Sequence, residues 1–153
     1  MLFRTHILFS LAVYFVVAHF IEMPFFVLVF VLLAAAFVDI DAHGSIFGNR
    51  WYFRPLQWLT RHRGIVHSLI FALLLSLVIA SVSQWAGFGF FVGYISHLFL
   101  DCWTKSGVKL LWPLGWKIKG PLKSGSWAED VIFVLLFLGN IFIVGKVIFN
   151  TLF

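Results

Sequence analysis

Charge is what this chain has least of. Lys, Arg, Asp and Glu make up 11% of its 153 residues, against 62% hydrophobic residues. A water-soluble domain carries about a quarter charged residues to cover its surface. The deficit excludes a soluble globular protein and leaves an integral membrane protein, a single domain with room for about four to six spanning helices of about 20 residues each. Cysteine is nearly absent as well. With Cys102 alone no intrachain disulfide can form, and cysteine usage says little about compartment. No internal repeat and no disordered tail is evident. The first apolar run lacks a convincing small-x-small cleavage site, Ala18-His19-Phe20 being a poor one, so it is read as an uncleaved helix rather than a signal peptide. The net charge of +5 is not a nucleic-acid footprint. The basic residues flank apolar runs, where they set orientation and attract anionic lipid.

What is present is a series of apolar runs with polar ends. The fold expected is all-α, a bundle of about five transmembrane helices with two interfacial amphipathic segments. The first helix is placed over Phe3 to Phe20, and Glu22 and Pro24 turn the chain into a second run from Phe25 to Val38. That second run is short, about 21 Å against a hydrocarbon core of about 30 Å, so its polar end sits below the bilayer surface. Ser45 to Arg63 is aromatic and basic and lies along the interface. A third helix runs from near Gly64 to Ser83, a fourth to Asp101 or Thr104, and a fifth from Trp127 to about Asn150. Between the last two lies a second interfacial stretch, Lys105 to Ser126, with five lysines interleaved among Trp112, Pro113, Trp116 and Pro121. Arg4, the arginines between 50 and 63 and the lysines between 105 and 123 share one side of this topology, and Lys146 alone falls on the other. The rich side is cytoplasmic by the positive-inside rule, which puts the N-terminus inside.

Five of the six histidines and five of the six acidic residues fall on that same side. His6 opens the first helix and Asp39 and Asp41 close the second. His67 lies in the first turn of the third, and His97 and Asp101 close the fourth. His97 and Asp101 are four apart and project from one helix face. Imidazole and carboxylate gathered at one depth suit a divalent metal, which accepts both at about 2 Å, and bundle cores build metal sites in this way. A carboxylate at membrane depth costs about 2.5–3.5 kcal/mol on insertion scales, so Asp101 needs a partner. Other readings stand beside this one. Asp39 and Asp41 also fit a plain loop, and Arg61, His62 and Arg63 also fit a basic flank. His43, next to Gly44 and Ser45, fits a turn, while His19 and Glu22 sit on the far side. Asp130 complements the dipole at the start of the fifth helix. Glu129 either does the same or reaches the site as a ligand or base.

The strings His62-Arg63-Gly64-Ile65-Val66-His67-Ser68 and Gly93-Tyr94-Ile95-Ser96-His97-Leu98-Phe99-Leu100-Asp101 are followed by Thr104, Gly107-Val108 and Leu111-Trp112-Pro113. Together with Thr5-His6 and Asp39-Ile40-Asp41 they resemble the YdjM-type family of membrane-bound metal-dependent hydrolases, from residue 5 to about 113. One departure is Val38, where relatives often carry proline before the first Asp. The family is distantly similar to zinc-dependent phospholipase C and the zinc-dependent single-strand nucleases. The resemblance implies His6, Asp39, His67, His97 and Asp101 as ligands, with Asp101 a candidate bridge between two metals. Asp41 and His62 become additional ligands or residues that orient them. The implied cofactor is one or two divalent ions, zinc first, with manganese or iron as alternatives.

The function expected is hydrolysis of a phosphoester or pyrophosphate on a membrane lipid at the cytoplasmic face of the plasma membrane, with Arg63 neutralising phosphate. Asp41, His62 and Glu129 are further catalytic candidates. The alternatives are a non-enzymatic metal-binding transporter or sensor, and an assembly factor whose histidines only stabilise the bundle.

Overall fold

The computed structural model describes residues 1–41, 51, 54 and 64–152, with Asp41 and residues 151–152 described by backbone alone. Among these residues it is all-helical: α1 Phe3–Phe20, α2 Val27–Phe37, α3 Leu69–Ala80, α4 Gln84–Cys102 and α5 Trp127–Leu152, with no named strand. Two 3-10 turns, Val38–Asp41 and Ile65–His67, extend α2 and precede α3. His43, Arg61, His62 and Arg63 lie outside the described residues, as does nearly all of the first interfacial segment.

The first and last helices are patterned the reverse of those in a water-soluble protein. On α1 the buried side chains are Thr5, His6, Ser10 and Tyr14. The helical period puts His6, Ser10 and Tyr14 in one line. Val16 and Phe20 are exposed, as are Val131, Leu135, Leu138 and Phe142 of α5, whose Glu129 and Asn140 are buried. Polar inside and apolar outside is stable when the surroundings are hydrocarbon. Phe3–Phe20 and Trp127–Asn150 are each long and apolar enough to cross a membrane, whereas Val27–Ile40 and Leu69–Ala80 are apolar but shorter.

Two helical hairpins make the core. α1 turns into α2 through 21–26, and α3 turns into α4 through a tighter corner at 81–83. Ser68 caps α3, its hydroxyl accepting from Phe71 N at 3.2 Å, and Ser83 caps α4 by accepting from Ala86 N at 3.3 Å. α2 and α4 run parallel and in close contact because α4 carries glycine where they meet. A Cβ on Gly93 would stand 2.1 Å from the Val31 carbonyl oxygen, and one on Gly89 would stand 2.7 Å from Val27 Cγ1. Small residues let helix backbones approach in this way. Ala34, Val38, Ala72, Phe90, Tyr94 and Leu98 fill the space beside the seam. α5 lies on α1, where Asn140 Nδ2 donates to the Leu8 carbonyl at 3.0 Å.

The lysine-rich stretch expected to lie along the interface folds back on itself. Isolated bridges join Thr104 to Leu122 and Val108 to Ile118. Gly107 takes φ +61° there, and a Cβ on it would meet the Ile118 carbonyl at 2.2 Å, so the turn needs glycine on both counts. Leu69 N donates to the Leu110 carbonyl at 2.8 Å, fastening this loop to the start of α3 beneath the polar cluster.

Candidate metal centre

The glycine-lined seam sets where His97 stands. One turn beyond Gly93, its Nδ1 donates to the Ala35 carbonyl at 2.8 Å. A donating Nδ1 leaves Nε2 as a bare lone pair aimed at the cluster. His6 stacks on the His97 ring with centroids 3.7 Å apart and an interplanar angle of 7°. The hydroxyls of Ser10 and Ser96 hydrogen-bond between α1 and α4 one turn below, which fixes the depth of His6.

His67 belongs to the 3-10 turn and not to the first turn of α3, as its sequence position suggests. Ser68 between them is extended (φ −119°, ψ 150°) because it serves as the cap. The Tyr94 hydroxyl donates to the Val66 carbonyl and holds that turn against α4. On the other side, Thr104 Oγ1 donates to the Asp101 carbonyl at 2.8 Å, closing the end of α4.

The five residues implied as ligands come together. Asp101 Oδ1 is 3.5 Å from His6 Nε2, and Asp101 Oδ2 is 3.6 Å from His67 Nε2 and 3.9 Å from His97 Nε2. Asp39 Oδ1 is 3.6 Å from His97 Nε2 and 3.8 Å from His67 Nε2. These separations exceed hydrogen-bond lengths of about 2.7–3.2 Å. They approach the spacing of neighbouring donors that share a cation at about 2.1 Å, which is about 3–3.5 Å. His6–Asp39–His97 and His67–His97–Asp101 each offer three donor atoms within 4.8 Å of one another.

The donor set fits a divalent ion. All three imidazoles and Asp101 are at most 1% exposed, while Asp39 is 18% exposed, the most open of the five among the described residues. Among the described residues, the buried His97 Nε2 and His6 Nδ1 have no hydrogen-bond partner. An ionised carboxylate buried among neutral imidazoles is costly unless a cation accompanies it. The α-amino group of Met1, 3.0 Å from Asp101 Oδ1, is a positive group at this carboxylate.

Glu129, for which complementing the helix dipole, a ligand role and a base role all stood open, is a buried acceptor. It is fully buried, and Oε1 accepts from Leu2 N and from Thr5 Oγ1 at 3.0 Å, while Oε2 accepts from Gly125 N at 2.7 Å. Both oxygens are engaged, so Glu129 clamps the start of α5 to the residues around His6. It belongs to neither donor triad. Asp130 faces outward and pairs with Arg4, itself 4.6 Å above the Phe133 ring. Asp41 ends the 3-10 turn, and its side chain, like His62 and Arg63, lies outside the described residues. Three contributors carry little sequence signal: the Ala35 carbonyl, the Tyr94 hydroxyl and the missing side chains at Gly89 and Gly93.

Comparison with known proteins places the chain in a family. The protein named inner membrane protein YdjM in Escherichia coli (strain K12) is 34% identical over 122 residues, covering 72% of this chain and 62% of the relative, and the Shigella flexneri protein of that name matches equally. The chain thus spans less than two thirds of their length. A Bacillus subtilis (strain 168) relative, the uncharacterized protein YvsG, is 35% identical over 83 residues, 52% of each chain. No solved structure matches. The profile described as YdjM inner membrane protein matches residues 1–151, and the chain belongs to that family of membrane proteins.

Proposed function

We propose that this protein is a membrane-embedded, metal-dependent hydrolase that cleaves a phosphoester or pyrophosphate of a membrane lipid at the cytoplasmic face of the plasma membrane. The observation that carries the reading is the convergence of His6, Asp39, His67, His97 and Asp101 from four separate segments. All five helices span the bilayer in this reading, α2 and α3 with their polar ends drawn below the headgroups. The basic loops lie on the cytoplasmic side, level with the centre.

A bound divalent ion would polarise a phosphoryl oxygen and make water a competent nucleophile near neutral pH. Three imidazoles and two carboxylates suit zinc and also accept manganese or iron. His97 is oriented by Ala35 and His67 by the turn that Tyr94 holds, so these donors need little rearrangement to bind. Arg63 and the lysines of the 105–123 loop supply charge to hold a phosphate. Asp41 and His62 flank the ligands in sequence and take the roles of additional donors or proton carriers. The half-open position of Asp39 gives a lipid headgroup its approach.

Purified protein in detergent is offered a panel of lipid phosphoesters and pyrophosphates, with and without chelator. Chelator-sensitive phosphate release that disappears in Asp101→Ala is the expected result. Bound metal with no turnover across the panel would overturn the enzymatic reading. A metal transporter is the second reading. The paired hairpins favour it, because transporters are commonly built from repeated halves, whereas donors at one end of the helices rather than mid-depth weigh against it. Ion flux into proteoliposomes separates the two.

A further inference from the structure

The seam between α2 and α4 has a constant register. Ala35 and His97, joined by a hydrogen bond, are 62 residues apart. The same offset carries Val27 to Gly89 and Val31 to Gly93, the other close approaches along the seam. It also carries Asp39 to Asp101, and His6 lies one residue short of it from His67. Any two parallel helices in contact keep one offset, so what points to a two-fold axis is that Asp39 and Asp101 share it. The polar contacts obey the same relation. His6 of the first hairpin lies 3.5 Å from Asp101 of the second, and His67 of the second lies 3.8 Å from Asp39 of the first. The surrounding residues keep a trace of it: His6-Ile7-Leu8 against His67-Ser68-Leu69, and Ala36-Phe37-Val38-Asp39 against Leu98-Phe99-Leu100-Asp101.

We infer that the two helical hairpins are copies of one unit, and that a single divalent cation sits on the axis between them, held by two equivalent His–Asp pairs with His97 as a fifth donor. This rests on the metal reading proposed above and fixes its stoichiometry. His97 breaks the symmetry, because its counterpart in the first hairpin is Ala35. It also limits occupancy. Both donor triads include His97, whose Nδ1 is committed to the Ala35 carbonyl, so one nitrogen is left and it serves one ion. Among the described residues, two ions sharing Asp101 would each need that nitrogen to complete a triad. Five donors around one ion leave a sixth position for a ligand entering past Asp39.

The protein in detergent, loaded with Zn²⁺ and desalted, is read by elemental analysis and native mass spectrometry. One ion per chain is expected. Two ions per chain would leave the metal reading standing and overturn this inference. No ion bound to folded protein would sink the metal reading itself. His6→Ala and His67→Ala are expected to lose the ion in parallel, with His6→Gln and His67→Gln standing in should the smaller residues prevent folding. Full occupancy in one member of the pair and loss in the other would break the equivalence. With Co²⁺ in place of zinc, His97→Ala is expected to keep one ion and to shift its visible spectrum from five-coordinate towards the more intense four-coordinate form. An unchanged spectrum would remove His97 from the coordination shell and overturn the fifth-donor assignment.

Discussion

The His97 imidazole is tied through Nδ1 to the Ala35 carbonyl, 2.8 Å away across the seam of α2 and α4. That contact depends on backbone proximity rather than on any second side chain. The orientation of a ligand is thus set by the glycines one and two turns below it.

Enlarging Gly93 tests this dependence. A Cβ there would meet the Val31 carbonyl at 2.1 Å, so Gly93→Val must push the helices apart. Overpacking of this kind costs about 1–3 kcal/mol or more. Metal content is expected to fall sharply in Gly93→Val while far-ultraviolet circular dichroism still reports a helical protein. Unaltered metal content would show that the seam does not set the site.

Tyr94→Phe removes the hydroxyl that holds the turn carrying His67. The lost hydrogen bond predicts a destabilisation of about 0.5–1.5 kcal/mol. The variant is also expected to surrender its metal at lower chelator concentration, measured by competition with a colorimetric chelator.

Glu129→Ala leaves Leu2 N, Thr5 Oγ1 and Gly125 N without their acceptor. Unsatisfied buried groups cost about 1–3 kcal/mol each. Thermal unfolding in detergent is expected at lower temperature, with metal content per folded chain unchanged. Normal stability with abolished turnover would return Glu129 to the role of a base.

Asp130→Ala provides the contrast. Its partner Arg4 is 50% exposed and Asp130 itself 56%. Exposed pairs contribute about 0–1 kcal/mol. Neither metal content nor unfolding temperature is expected to change measurably, whereas Asp101→Asn is expected to empty the centre.

Stripping the ion with chelator is expected to lower the unfolding temperature, and adding zinc back to restore it. A ligand that binds only the folded state adds about 2.7 kcal/mol at a hundredfold excess over its dissociation constant. Differential scanning fluorimetry across a zinc titration measures this directly.

Much of the architecture was legible because hydrocarbon and water sort residues so sharply. The run from Phe3 to Phe20 has no proline or glycine to interrupt it, and α1 occupies those bounds. Polar residues at the ends of apolar runs drew attention to His6, Asp39, His67, His97 and Asp101, and these five stand close together in the structure. The start of α3 was misplaced because Ser68 reads equally as helix or cap, and it is the cap that ends the 3-10 turn. Glu129 was open to a chemical role because nothing in the sequence foretells that Leu2 N, Thr5 and Gly125 N converge on it. The seam was hidden for a simpler reason: a backbone carbonyl at Ala35 and bare Cα atoms at Gly89 and Gly93 have no distinctive residue type. The 62-residue register escaped notice because so few side chains still match across it.

The paired construction bears on biogenesis. In the proposed five-span reading each hairpin, two antiparallel helices joined by a short turn, would enter the bilayer as a self-contained unit. Neither holds all five residues of the cluster, since His6 and Asp39 belong to the first and His67, His97 and Asp101 to the second. In that reading maturation would end with lateral docking of the two units. Captured metal would report that docking is complete, marking finished molecules apart from half-assembled ones in the same membrane.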